Sequence, residues 1–204
     1  QHAQRAHVAE RVAEVREAAR ARLVSEGLDE GTIDALWADF PDDSFLRYRP
    51  EQIAWQARGM ADASRDGLPV VLARPHARAG AMEVFVYSPD RDGLFAIAAA
   101  ALDRQGLSIV DARIVTSLRG MTLDTFHVLE TDAAFEGVDA HRRASAVARE
   151  VRDSLRAPGP LRLPGRRALP PQLRHFRVPV QVEFSGKGER TQLILVCNDR
   201  PGLL

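Results

Sequence analysis

The sequence is poor in lysine, cysteine and long apolar runs, and it carries no net charge. Lys and Arg together number 28, as do Asp and Glu, and Lys187 is the only lysine. This balance argues against nucleic acid or an anionic membrane as a partner of the whole chain. The single cysteine, Cys197, excludes an internal disulfide framework. No apolar run reaches the roughly 18 residues that cross a bilayer, and the first residues lack the pattern of a signal peptide, so we expect a cytoplasmic location.

Recognisable catalytic motifs are also missing. The six histidines form no His-Asp doublet and no H-x-x-x-H pair. A nucleophile elbow, a P-loop and a G-x-G-x-x-G motif are all absent from the sequence. His127 alternates with apolar neighbours, which is typical of a partly exposed strand residue rather than a ligand. We therefore predict no catalytic residue, no metal ligand and no cofactor in this chain.

The first third of the chain has the apolar spacing of helices. Apolar residues recur every three or four positions over 8–23 and again over 33–40, and each stripe predicts a helix. Pro50 suits the first position of a third helix. Residues 1–75 are thus predicted to form a helical segment with its connector, in which 69–72 is a short strand.

The apolar period then changes to that of strands alternating with helices. The order β-α-β-β-α-β over residues 80–184 predicts an α+β fold with a ferredoxin-like sheet and two helices on one face. The predicted strands are 82–87, 107–116, 122–130 and 176–184, and the predicted helices are 94–105 and 138–155. The Pro- and Arg-rich segment 157–175 is interpreted as a connector, and a basic arm that docks an acidic partner is its alternative.

An internal repeat links the middle of the chain to its end. Residues 84–95 (VFVYSPDRDGLF) align without a gap with residues 193–204 (LILVCNDRPGLL). The repeat pairs Asp90, Arg91 and Gly93 with Asp199, Arg200 and Gly202. We therefore expect a fragment in which 185–204 supply the first strand and turn of a second, truncated unit. The orphan strand 193–197 is expected to extend the first sheet or to pair with another chain.

The repeated turn admits two interpretations. Asp90 and Asp92 resemble a paired-carboxylate Mg²⁺ site, but Pro201 replaces Asp92 in the second copy and proline cannot bind metal. The two glycines either permit a tight strand-to-helix turn or keep a helix N-terminus open to an anion such as a carboxylate. The residues alone leave both interpretations open.

Several motifs resemble known families. The βαββαβ pattern with an Asp-Arg-x-Gly-Leu turn resembles the ACT domain, a regulatory module that commonly binds amino acids. Four further segments resemble, in order, the bifunctional uridylyltransferase/uridylyl-removing enzymes of the nitrogen regulatory PII protein. These are FLRYRPEQIAWQAR at 45–58, GMTLDTF at 120–126, LRHF at 173–176 and DRPGLL at 199–204.

The resemblance implies a function for the parent protein and a ligand site for this part of it. Such enzymes attach UMP from UTP to a PII tyrosine and remove it, use divalent metal such as Mg²⁺, and sense glutamine through ACT domains. The implied glutamine-binding residues are those of the two turns: Asp90, Arg91, Gly93, Asp199, Arg200 and Gly202. The edge from Ser108 to Asp111 is a further contact candidate. The alternatives are an ACT interaction module that pairs into a dimer or contacts PII, and the ACT regulatory domain of another amino-acid-controlled enzyme.

Overall fold

The computed structural model describes residues 2–77, 80–131, 138–157, 179–187 and 190–197. The α-helices of this part are α1 (His2–Ser25), α2 (Glu30–Trp37), α3 (Pro50–Asp66), α4 (Leu94–Arg104) and α5 (Ala140–Arg156), and a 3₁₀ helix spans Asp42–Arg47. The strands are β1 (Val70–Pro75), β2 (Ala81–Pro89), β3 (Leu107–Thr116), β4 (Met121–Glu130), β5 (Gln181–Lys187) and β6 (Arg190–Val196). The predicted α+β class is confirmed.

Two of the N-terminal helices begin at residues that suit a helix start, although α2 ends at Trp37, before the end of the stripe predicted over 33–40. Asp29 caps α2 because its carboxylate accepts the backbone N–H of Thr32 at 2.9 Å. Pro50 is the first residue of α3, as expected from its fixed φ. The apolar stripes of these helices form one core, which includes Leu23, Ile33 and Trp37.

The main sheet has four antiparallel strands in the order β1-β2-β4-β3. Strands β2, β3 and β4 and helices α4 and α5 lie close to their predicted ranges. The prediction that 176–184 supplies the fourth strand of this sheet is wrong, because β1 occupies that edge and pairs with β2. The sequence pattern showed a short strand at 69–72 but could not show which sheet it joins.

Both faces of the main sheet are covered. Val84 and Val86 of β2 point into a core shared with α4 and α5, whereas Phe85 between them packs in the core of the N-terminal helices. A strand buried on both faces reads as a continuous apolar run, which explains the segment MEVFVY. The helical segment and the sheet thus share a core.

Strands β5 and β6 form a separate two-stranded sheet. The expectation that strand 193–197 extends the first sheet is therefore wrong, because β6 pairs with β5. The alternative, that this strand pairs with another chain, stays a prediction. The pairing repeats that of β1 with β2: Val182 lies opposite Leu195 as Val71 lies opposite Val86. Val71 and Val86 are buried under helices, whereas Val182 and Leu195 are about half exposed, at 51% and 47%.

This equivalence changes where the second repeat begins. The expected boundary between residues 184 and 185 falls inside β5, and the edge strand of the first repeat is the short strand predicted at 69–72, in the connector of the segment 1–75. Each repeat therefore starts with a hairpin rather than with its second strand. Of the connector 157–175, all but the first residue lies outside the described residues.

Candidate functional site

The predicted ligand turn joins β2 to α4, and Asp90, Arg91 and Gly93 lie together in it. The backbone N–H of Asp90 donates to the carbonyl of Gly120 at 2.8 Å, which fixes the start of the turn. Gly93 has φ of 77° and precedes the first residue of α4. A Cβ at this position would meet nothing within 4 Å. The glycine is therefore required by its left-handed backbone conformation and not by a neighbouring atom.

The turn is open to solvent at the N-terminus of α4. Asp90, Arg91 and Gly93 are all exposed. Among the described residues, no side-chain hydrogen bond caps this helix. The first N–H groups of a helix lack intrahelical partners and carry the positive end of the helix dipole. The turn thus combines the geometry of a tight connection with a surface that suits a carboxylate.

Arg91 ties the turn to the second helix of the unit. Its Nη2 donates to the carbonyl of Leu155 at 2.5 Å, close to the C-terminus of α5. A cation at this end of a helix satisfies a free carbonyl and interacts favourably with the dipole. Arg91 therefore has a structural role, which the sequence did not predict.

Asp124 is a buried carboxyl that the sequence analysis missed as a site residue. It lies on β4 and is 2% exposed, and its carboxylate accepts a hydrogen bond from the Thr122 hydroxyl. Burial, helped by the nearby charge of Asp90, raises the pKa of Asp124 to about 6, and the Thr122 hydrogen bond opposes this rise. The signal in the sequence was an acid between apolar residues, Leu123 and Phe126, within a predicted strand.

A second buried acid, Asp39, connects the turn to the helical segment. Asp39 is 5% exposed. Its carbonyl accepts the N–H of Leu118 at 2.8 Å, and its carboxylate accepts the N–H of Arg119 at 3.0 Å. Both donors belong to the β3–β4 turn, whose Gly120 carbonyl holds Asp90. Hydrogen bonds thus join the candidate turn to the β3–β4 turn and the β3–β4 turn to Asp39, which follows α2.

Other predicted residues lie elsewhere. The edge from Ser108 to Asp111 pairs with the end of β4 that is far from the β2–α4 turn, so one chain does not bring the two together. His127 is partly exposed on its strand, as predicted, and its ring lies 3.7 Å from a carboxylate oxygen of Glu83. Cys197 is half-buried.

The second copy of the turn, Asp199, Arg200 and Gly202, lies outside the described residues. Within the part of the chain that the structure describes, no group of three or more His, Cys, Asp or Glu residues could hold a metal ion. No helix in that part is long and apolar enough to cross a membrane.

The described part is thus an α+β unit with a helical layer before it, and it presents an exposed strand-to-helix turn. Residues 7–59 match the family model of the uridylyltransferase GlnD fifth domain. The chain is 44% identical over 198 residues to the bifunctional uridylyltransferase/uridylyl-removing enzyme of Xanthomonas campestris pv. campestris strain B100, a match that covers 96% of the chain and 22% of that enzyme.

Two further relatives carry the same name. The enzyme of Xanthomonas oryzae pv. oryzae strain MAFF 311018 is 45% identical over 197 residues, and that of Methylococcus capsulatus is 38% identical over 199 residues. Each match covers 96% of the chain and 22% of the relative. The chain therefore belongs to the family of bifunctional uridylyltransferase/uridylyl-removing enzymes, and it spans about a fifth of the length of these relatives.

Proposed function

We propose that this chain is the regulatory, glutamine-sensing part of an enzyme that attaches uridylyl groups to the PII protein and removes them. The observation that carries the proposal is the 44% identity to such an enzyme across 96% of the chain. These matches favour this family over other amino-acid-controlled enzymes. The parent protein would work in the cytoplasm, with PII as its protein substrate.

The β2–α4 turn is the proposed glutamine site, in an ACT-type unit formed by the main sheet with α4 and α5. The α-carboxylate of glutamine would accept backbone N–H groups around the start of α4 other than that of Leu94, which donates to the carbonyl of Arg91 at 3.3 Å. The helix dipole favours a negative charge there. Asp90 is exposed beside them and would pair with the α-ammonium group. Gly93 keeps a side chain out of the approach to these groups. This arrangement supports a site for a zwitterion rather than for a simple anion.

Catalysis would belong to other parts of the parent protein. No described residue is assigned to the chemistry of uridylyl transfer or removal. The Mg²⁺ that the family resemblance implies does not fit the described residues, because they offer no cluster of metal-binding side chains. The chain would act by changing the enzyme's activity in response to glutamine.

Isothermal titration of the chain with glutamine tests the proposal, with Gly93→Val and Gly27→Val as a matched pair. Both glycines have positive φ, 77° and 87°, and a Cβ at either position would meet nothing within 4 Å, so both substitutions cost about 1–2 kcal/mol in backbone strain. Only Gly93 lies in the proposed site. We expect saturable binding that is lost in Gly93→Val and kept in Gly27→Val.

Two results would contradict the proposal. Glutamine that gives no saturable heat with the wild-type chain would remove the sensing function from this part of the protein. Equal affinity in folded Gly93→Val and wild type would remove the β2–α4 turn from the site. The counterpart at Gly202 would then be the remaining candidate.

A second function, an interaction module, is favoured by the β5–β6 hairpin. One face of the hairpin carries four exposed apolar side chains: Val182, Phe184, Leu193 and Leu195. An exposed apolar sheet face tends to associate with another protein surface. Sedimentation of the chain, with Phe184→Glu as the variant, tests ACT pairing or dimer formation: a dimer that this substitution dissociates would support it, and a monomeric wild type would not.

A further inference from the structure

A cavity of about 480 Å³ opens between the helical segment and the main sheet. It lies at the end of β2 opposite to the β2–α4 turn, next to the pair Glu83 and His127. Its basic side chains are Arg47, Arg49, Arg74, His76, Arg113 and His127. Part of its wall is the segment 46–52, which belongs to the FLRYRPEQIAWQAR motif and has no role in the proposed glutamine site.

We call this space the arginine cavity. Contacts hold Arg47 and Arg113 in place and leave some of their N–H donors free. Arg47 donates one Nη1 bond to the carbonyl of Ile114 at 3.2 Å, and Arg113 donates to the carbonyl of Arg47 and to Asp111. A guanidinium has five N–H donors. Hydrogen bonds to described residues therefore occupy one donor of Arg47 and two of Arg113. Such fixed side chains lose little freedom when they bind a ligand.

The acids near the cavity do not balance its arginines. Glu83 is 2% exposed and accepts hydrogen bonds from Gln52 at 2.7 Å and from Arg74 at 2.7 and 2.9 Å, so its charge is committed to that cluster. Asp111 is paired with Arg113 at 3.1 Å.

One arginine remains in excess, and another is only loosely paired. Among the described residues, Arg47 has no carboxylate partner. Arg49 has only Glu51, at 3.8 Å, and its side chain is 77% exposed. The wall of the cavity thus carries excess positive charge on planar groups with free donors.

From this placement we infer that the arginine cavity binds the phosphate group of a small molecule, either inorganic phosphate or a nucleoside monophosphate. Planar guanidinium groups match the oxygen geometry of phosphate and can bind it through two hydrogen bonds at once. A cavity of this size lies within the range of small-molecule sites, so it has room for a nucleoside as well as for its phosphate. The site is separate from the proposed glutamine turn and does not depend on it.

Calorimetric titration of the chain with inorganic phosphate, UMP and uridine tests this site. Arg49→Ala removes an exposed guanidinium from the cavity wall. Arg22→Ala is the matched control, because Arg22 is an exposed arginine on α1 that, like Arg49, forms one ion pair with a described residue, Glu26. We expect phosphate and UMP to bind saturably and uridine not to bind. Arg49→Ala should weaken binding about tenfold or more, and Arg22→Ala should leave it unchanged.

The outcomes separate the two sources of phosphate and can overturn the site. Tighter binding of UMP than of phosphate would identify a nucleotide, and equal binding would identify phosphate alone. The inference is overturned if neither ligand binds saturably, if uridine binds as well as UMP, or if Arg22→Ala weakens binding as much as Arg49→Ala. Circular dichroism of each variant shows that the fold is retained.

Discussion

Asp124→Asn should stabilise the protein at neutral pH although it removes a charge from a strand. The pKa of Asp124 is raised from 3.8 to about 6 in the folded chain, chiefly by burial. A raised pKa means that ionisation of the carboxyl opposes folding. The penalty is therefore small at about pH 4 and below, grows as the pH rises towards 6 and is complete above it.

The size of the effect follows from the same values. At about 1.4 kcal/mol for each pH unit, the rise from 3.8 to about 6 corresponds to about 3 kcal/mol of lost stability at pH 7.5. Asparagine keeps an oxygen that can accept the Thr122 hydroxyl and cannot ionise. The free energy of unfolding gained by Asp124→Asn should thus be about 2.5 kcal/mol larger at pH 7.5 than at pH 4.

Urea unfolding of wild type and Asp124→Asn at both pH values measures this difference. Comparing the variant with wild type at two pH values cancels any pH-independent cost of placing an amide in the core. Asp62→Asn is the control, because Asp62 pairs with Arg58 at 3.8 Å and its side chain is 56% exposed, and its effect should stay below about 1 kcal/mol at either pH. A stability gain of Asp124→Asn that does not change with pH would refute the reasoning.

Three further predictions concern the contacts around the turn and the hairpin. Asp39→Ala should cost about 1–3 kcal/mol in urea unfolding because the backbone N–H and the guanidinium of Arg119 lose their carboxylate acceptor, whereas Asp42→Ala, which removes an exposed ion pair, should cost at most about 1 kcal/mol. Arg91→Ala should speed amide hydrogen exchange in the last turn of α5, and unchanged exchange there would show that its bond to Leu155 has no structural role. Phe184→Glu should leave the urea midpoint of the main sheet unchanged, since that side chain is 72% exposed.

The sequence predicted elements better than it predicted their partners. The apolar run MEVFVY identified β2 because a strand covered on both faces needs no polar positions. By contrast, β1 was recognised only as a short strand, because local patterning does not reveal which sheet edge a strand joins. Residues 176–184 were placed on that edge instead because the βαββαβ order is satisfied by any later strand.

Buried acids are where sequence reasoning about the site failed. Glu83, Asp39 and Asp124 lie in the interior. Aspartate and glutamate are mostly found at the surface of proteins, so the residue type alone predicts exposure. Their burial depends on partners distant in sequence, such as Arg74 and Gln52 for Glu83 and the turn at Leu118 for Asp39. Gly93, by contrast, was predicted to lie in a tight strand-to-helix turn, because the positive φ of such a turn is a requirement of the local backbone.

Amide hydrogen exchange of the chain with and without glutamine tests the central claim most directly. If glutamine binds the β2–α4 turn, its carboxylate accepts the N–H groups at the start of α4, and exchange should slow at residues 91–96 while the far end of the sheet stays unchanged. Saturable glutamine binding with no change at residues 91–96 would contradict the claim and place the ligand elsewhere.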